Sequence, residues 1–195
     1  KAQALFKEGN AFFRDAKYAQ AQASYTAAWA LDLRSQKVVR NLGLTELELH
    51  KYRDAAQHLT IALRLSAPTD PKRPKIQSEI DQARKQVGTI QMKIAVDGVE
   101  LVDMATGQSY MTPLLDPIFV HPGKVGFRIR REGYESQEKV FDLKAGEETS
   151  SEITLTRPPY GTGTGAATSG PVETVTPRSK VPGIVASEDE RILGR

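Results

Sequence analysis

Residues 2–35 and 36–69 superimpose at a period of 34, and that period restricts the fold more than any other feature of the chain. The matched pairs are Gly9 and Gly43, Tyr18 and Tyr52, Ala21 and Ala55, Ala28 and Ala62, and Leu31 and Leu65. Tyr25 and Leu59 are large apolar residues at one shared offset. A repeated unit of this size cannot bury its apolar face alone and must stack on its neighbour. Gly9 and Gly43 fall in mid-helix, where glycine costs about 1 kcal/mol relative to alanine. Such glycines make sense only where another helix comes very close, and Ala21, Ala28, Ala55 and Ala62 permit the same approach on the second helix of each pair. The pattern predicts helices over 2–14, 18–31, 36–49 and 52–65, with turns at Asp15-Ala16-Lys17 and His50-Lys51.

Over residues 2–69 the chain closely resembles the tetratricopeptide family, since LFKEGNAFF and KYAQAQASYTAAWALD lie near the family pattern. Three prolines across 68–74 interrupt that pattern. In the stretch Lys75–Val87, Ile76, Ile80, Ala83 and Val87 then form one narrow apolar stripe on an otherwise charged helix. A helix of this kind caps the open end of a repeat stack, with Gly88 expected as its stop.

From Thr89 the apolar period changes to two. Ile90, Met92, Ile94 and Val96 alternate with polar residues up to Asp97-Gly98, which reads as a hairpin turn into a return strand over Val99–Val102. A second turn is expected over Asp103–Gln108. Another strand pair is expected from Ile118–Val120 through Pro122-Gly123 to Val125, Phe127 and Ile129, followed by a strand at Val140–Leu143 that turns at Ala145-Gly146-Glu147 into Ile153 and Leu155. Five to seven short strands at this spacing point to a small antiparallel sandwich. Thr112-Pro113-Leu114, Pro122-Gly123-Lys124, Glu132-Gly133-Tyr134 and Lys144-Ala145-Gly146-Glu147 occur in the order seen in the bacterial PEGA domain, which residues 90–156 resemble with an insertion at Asp103–Tyr110. Joined to tetratricopeptide repeats, that resemblance implies a membrane-associated scaffold of the bacterial periplasm or cell envelope. It also implies a signal and a membrane span in a longer parent protein. No apolar run of this chain approaches the roughly 18 residues a span requires.

The expected fold class is therefore α+β in three parts: tetratricopeptide hairpins with a capping helix over 1–88, a PEGA-like β-sandwich over 89–156, and a disordered Pro/Gly/Thr/Ser-rich linker over 157–195. Formal charge follows the same divisions, at +6 for 1–90, −4 for 91–156 and +1 for 157–195. The basic residues of the first part are interleaved with Glu and Asp, which describes a solvated surface rather than a nucleic-acid stripe.

Catalytic chemistry finds little support. With no cysteine, disulfides and thiolate metal sites are excluded. His50, His58 and His121 have no ligand spacing, and neither HExxH nor GxSxG occurs. Gly161–Gly165 is glycine-rich, but no Gly-Lys-Ser/Thr follows it, so it reads as linker. No cofactor is expected.

In tetratricopeptide architecture the first helix of each pair lines a concave groove. Helical spacing places Phe6, Asn10, Phe13 and Arg14 on one face, and Lys37, Arg40, Leu44, Leu47 and Glu48 on another. Phe6 and Phe13 fit equally well as packing against the next helix. The family's carboxylate clamp is incomplete: Asn10 and Asn41 match two of its positions, but Phe6 stands where its first lysine would be and Lys7 is one place off. The reading that follows is a non-enzymatic adaptor that binds another protein or peptide segment in the groove. The alternatives are a structural oligomer that buries the groove by self-association and, more remotely, an enzyme accessory subunit.

Overall fold

The computed structural model describes residues 1–158, which form one compact unit. The expected tail lies outside the described residues beyond Pro158. Two helical hairpins come first: α1 (Ala2–Arg14) with α2 (Tyr18–Leu31), and α3 (Gln36–Glu48) with α4 (Tyr52–Leu65). These are the predicted helices to within one residue. The repeat extends to the backbone of the turns. Ala16 and His50, 34 residues apart, take left-handed φ values of 57° and 56°. After each, the N–H of Lys17 or Lys51 bonds back to the carbonyl of Phe12 or Glu46, at 2.9 and 2.8 Å. Both helices thus end in the same five-residue reach-back that satisfies otherwise orphaned carbonyls.

The glycines do what their positions require. A Cβ on Gly9 would meet the Tyr25 ring at 2.7 Å, and one on Gly43 would meet Leu59 Cγ at 2.7 Å. Tyr25 and Leu59 are essentially fully buried, as are Ala21, Ala28, Ala55 and Ala62. The tetratricopeptide-like half is thus held by large residues seated on glycine and flanked by alanine.

The fifth helix, α5 (Arg73–Arg84), begins with Pro74 in its first turn, where a missing N–H costs nothing. It ends three residues earlier than predicted. Ile76, Ile80, Ala83 and Val87 are all buried in one cluster with Val39, Ala55, Leu59 and Ala62. Gly88 is not simply the residue after a helix: it opens the first strand, where a Cβ would lie 2.9 Å from Leu143 Cβ.

Seven strands follow: β1 (Gly88–Ile94), β2 (Glu100–Asp103), β3 (Ser109–Met111), β4 (Ile118–Val120), β5 (Gly123–Arg130), β6 (Gln137–Leu143) and β7 (Glu148–Ile153). They form two sheets, ordered β4-β1-β7 and β3-β2-β5-β6, around a core that includes Ile90, Leu101, Ile118, Phe127, Ile129 and Phe141. The expected sandwich is present, with two corrections. The Asp97-Gly98 turn is not a hairpin, because β1 pairs with β4 and β7 while β2 pairs with β3 and β5. Turn residues at 97–98, 121–123 and 144–147 carry the chain from one sheet to the other instead of reversing it within a sheet. Nor is the sandwich wholly antiparallel, since β1 and β7 run parallel from the Thr89–Glu148 pair to Ile94–Ile153. Chain segments from opposite ends of the β part are brought side by side in that pair.

Thr112 fastens the first of these corners. Its buried hydroxyl donates to the Val96 carbonyl at 2.8 Å and accepts the Val99 N–H at 2.9 Å. The Asp103–Gln108 insertion closes as an Asx turn, in which Asp103 Oδ1 accepts the N–H groups of Ala105 and Thr106 at 2.8 and 3.2 Å. Its far side, Ser109–Met111, is a strand that pairs with β2. The helical and β parts share packing: Phe119 of β4 is buried in the helical cluster, while its neighbours Ile118 and Val120 face the sandwich core. The Gly146 N–H donates to the Val87 carbonyl at 3.0 Å, and Arg84 bonds Glu148 at 2.6 Å.

Candidate functional site

Between α1, α2 and α3 lies an open cleft of about 540 Å³ lined by Lys7, Asn10, Phe13, Arg14, Tyr25, Asn41 and Leu44. Its floor is a hydrogen-bonded row. The Tyr25 hydroxyl donates to Asn10 Oδ1 at 2.7 Å, and Asn41 Nδ2 donates to the same oxygen at 3.0 Å. Burial holds the Tyr25 phenol above its ordinary pKa, partly offset by its contact with Asn41. Asn10 Oδ1 is committed to these two donors, which fixes the flip of that amide and leaves its NH₂ facing away from them. The row therefore presents amide groups in a set orientation, on a scaffold of three helices. Lys7 and Arg14, two turns apart on α1, are exposed, and neither is ion-paired among the described residues. Among the described residues no carboxylate lines the cleft. Phe13 and Leu44 give it an apolar side.

Of the residues expected on the groove face, Asn10, Phe13, Arg14 and Leu44 line this cleft. Lys37 and Glu48 are exposed on α3 but do not line it. Phe6 and Arg40 are not among the lining residues. Phe6 is half-buried and packs on Tyr25 with ring centroids 5.9 Å apart, so it belongs to the hairpin core. The Arg40 guanidinium makes a two-pronged ion pair with Glu79 of α5, at 3.0 Å from Nε and 2.5 Å from Nη2. It fastens the capping helix to α3.

Phe6 and Arg40 are 34 residues apart, as are Lys7 and Asn41, and Asn10 and Leu44. In both repeats the cleft position expected of Phe6 or Arg40 is thus taken by the next residue, Lys7 or Asn41, while Asn10, Phe13, Arg14 and Leu44 keep their places on the face. The repeat itself held the signal: positions 7 and 41 point into the cleft because positions 6 and 40 point toward packed neighbours. The Tyr25 ring is buried in the core, but its hydroxyl also reaches the cleft floor.

His58 contacts the buried carboxylate of Glu46 at 2.7 Å, and Gln22 Nε2 bonds the other Glu46 oxygen at 3.3 Å. This network joins α2, α3 and α4. Among the described residues no group of three or more His, Asp or Glu could hold a metal ion, and no helix is long and apolar enough to cross a membrane.

No protein-family model matches the chain, and no curated protein matches it. Among solved structures it is similar to the first TPR domain of Spaghetti (RPAP3) bound to the HSP90 peptide SRMEEVD. That likeness has 26% identity over 43% of this chain and 64% of the other, with a TM-score of 0.39. It is also similar to the second TPR domain of human RPAP3 in complex with the HSP70 peptide SGPTIEEVD, at 26% identity over 44% of this chain and 71% of that one, with a TM-score of 0.38. The chain thus spans just under two thirds of the first of these domains.

Proposed function

We infer that this chain is a non-enzymatic adaptor that binds a peptide segment of another protein in the α1–α3 cleft. The observation that carries the reading is the Asn10–Tyr25–Asn41 row, whose amides are held in a set orientation between two cations without an ion-pair partner among the described residues and an apolar side. Peptide backbones offer the donors and acceptors that such amides meet, and Phe13 and Leu44 can seat an apolar side chain. The β part, PEGA-like in its four turn motifs, would space or anchor the helical half in a bacterial envelope or periplasmic setting. That setting rests on the resemblance of Thr112–Leu114, Pro122–Lys124, Glu132–Tyr134 and Lys144–Glu147 alone.

The test begins with peptides selected from a random display library on the wild-type chain. Their affinities are then measured for Asn10→Ala and Asn41→Ala, with melting temperature as a control for folding. Interface anchors typically cost about 2 kcal/mol on truncation, so each variant should bind about thirtyfold more weakly. Selected peptides that bind both variants as tightly as wild type would remove the cleft from consideration.

A further inference from the structure

We propose that residues 113–117 are a strap that Asp116 holds off strand β1 by latching onto Arg64 of α4. The sheet register shows where the strap would otherwise lie. β4 pairs with β1 at Gly88 with Val120, Thr89 with Phe119, and Ile90 with Ile118. Continued past Ile90, that register opposes Met92 to Asp116, Ile94 to Leu114 and Val96 to Thr112. The last of these is in place, since Thr112 Oγ1 donates to the Val96 carbonyl at 2.8 Å. Both ends are therefore in register, with five residues between them on each side, so surplus chain does not cause the separation. Pairing nevertheless stops at Ile90, and a cavity of about 310 Å³ opens among Met92, Ile94, Ala95, Pro113 and Leu114. The Thr89 N–H donates toward β7, to the Glu147 carbonyl at 2.9 Å. Alternation then turns the main-chain groups of Met92 and Ile94 to the cavity side, where no strand pairs with them.

The sequence of the strap suits a straight edge strand at every position but one. In register, Leu114 and Asp116 would aim their N–H groups at β1. Pro113 and Pro117 would face the open edge of the sheet, where a strand tolerates proline. Asp116 is the exception. Its side chain would lie beside Met92 and turn to the sandwich interior, as those of Ile118 and Val120 do. A carboxylate without a partner is costly there. Instead both Asp116 oxygens accept from Arg64 Nε at 3.2 Å, on the helical side where Phe119 is buried. Reaching Arg64 takes residue 116 out of phase with the ladder, and Leu114 leaves with it. The latch thus gives α4 control over whether the cavity exists.

The experiment measures amide exchange and Hα–Hα contacts by NMR in the full chain. In wild type the Met92 and Ile94 amides should exchange freely, and Lys93 and Leu115 should share no Hα–Hα cross-peak. That pair comes closest once the strands zip, because it is not hydrogen-bonded. Asp116→Val and Asp116→Thr each remove the latch and supply a β-branched side chain suited to a strand. In both, exchange at Met92 and Ile94 should slow about tenfold or more, and the cross-peak should appear. Asp116→Pro also removes the latch but places a proline ring where the ladder needs an N–H, so it should show neither change. Amides of β5 and β6 check that each variant keeps its sheet. Wild type that already shows the cross-peak overturns the proposal. So does wild-type exchange at Met92 and Ile94 in either the valine or the threonine variant with the sheet intact, or a cross-peak in the proline variant.

Discussion

The Tyr25 hydroxyl must stay protonated to donate to Asn10, and its burial beneath the cleft favours that neutral form. A phenol whose folded pKa is raised above its unfolded value of about 10 contributes stability that is complete below pH 10. That contribution is lost as pH rises further, because the unfolded chain then releases its proton first. The difference in unfolding free energy between wild type and Tyr25→Phe should therefore shrink between pH 9 and pH 11. Urea titrations at each pH would measure it. At neutral pH the substitution removes one of two donors to Asn10 Oδ1 and should cost about 1 kcal/mol. A difference that stays constant with pH would mean the phenol ionises as freely in the folded chain as in the unfolded one.

At the scale of elements, the ion pair between Arg40 and Glu79 decides whether α5 is merely laid on the stack or locked to it. Both side chains are at most 15% exposed. Removing one partner of such a pair strands the other charge, so Glu79→Ala should cost about 3 kcal/mol. Arg84→Ala, which breaks a pair with 32% and 48% exposed side chains, should cost under about 1 kcal/mol. Thermal unfolding distinguishes the two, and equal losses would mean that α5 is held by its apolar stripe alone. Glu79 also shows where sequence reading stops. Ile76, Ile80, Ala83 and Val87 announce the buried stripe by spacing, whereas a glutamate beside it looks like solvated surface until its partner 39 residues away is located. The same limit governs the strands. Alternation fixed which residues of β1, β2 and β5 face inward, because a one-residue slip would expose them all. It carried no information on which strand neighbours which, so Asp97-Gly98 looked like a hairpin although it links two sheets. The helical half was more legible because its pairings are local and repeated: Gly9 with Tyr25 and Gly43 with Leu59 specify one contact twice. The cleft was half legible, since the repeat defined a face, whereas only packing against α2 and α5 shows that Phe6 and Arg40 turn away from it.

For the whole molecule, the connection between helices and sandwich runs through three consecutive buried residues of β4. Ile118 and Val120 belong to one core and Phe119 to the other. A strand buried on both faces reads in sequence as a plain apolar run, so nothing in Ile118–Val120 distinguishes it from an inner strand of a single core. Phe119→Ala should leave the sandwich side intact and open a cavity at the edge of the helical cluster, at a cost of about 3–5 kcal/mol. That cost falls on the helical half, so the variant should lose the shared transition. Trp29, the only tryptophan, packs in the helical half and reports on it by fluorescence. Amide resonances of β5 and β6 report on the sandwich. In wild type the two probes should follow one urea transition, as a cooperative unit requires. In Phe119→Ala the Trp29 transition should move to lower urea, ahead of the β resonances. If both probes instead shift together, the coupling resides in polar contacts such as Gly146 N–H to the Val87 carbonyl and Arg64 to Asp116, and the aromatic ring contributes bulk stability alone.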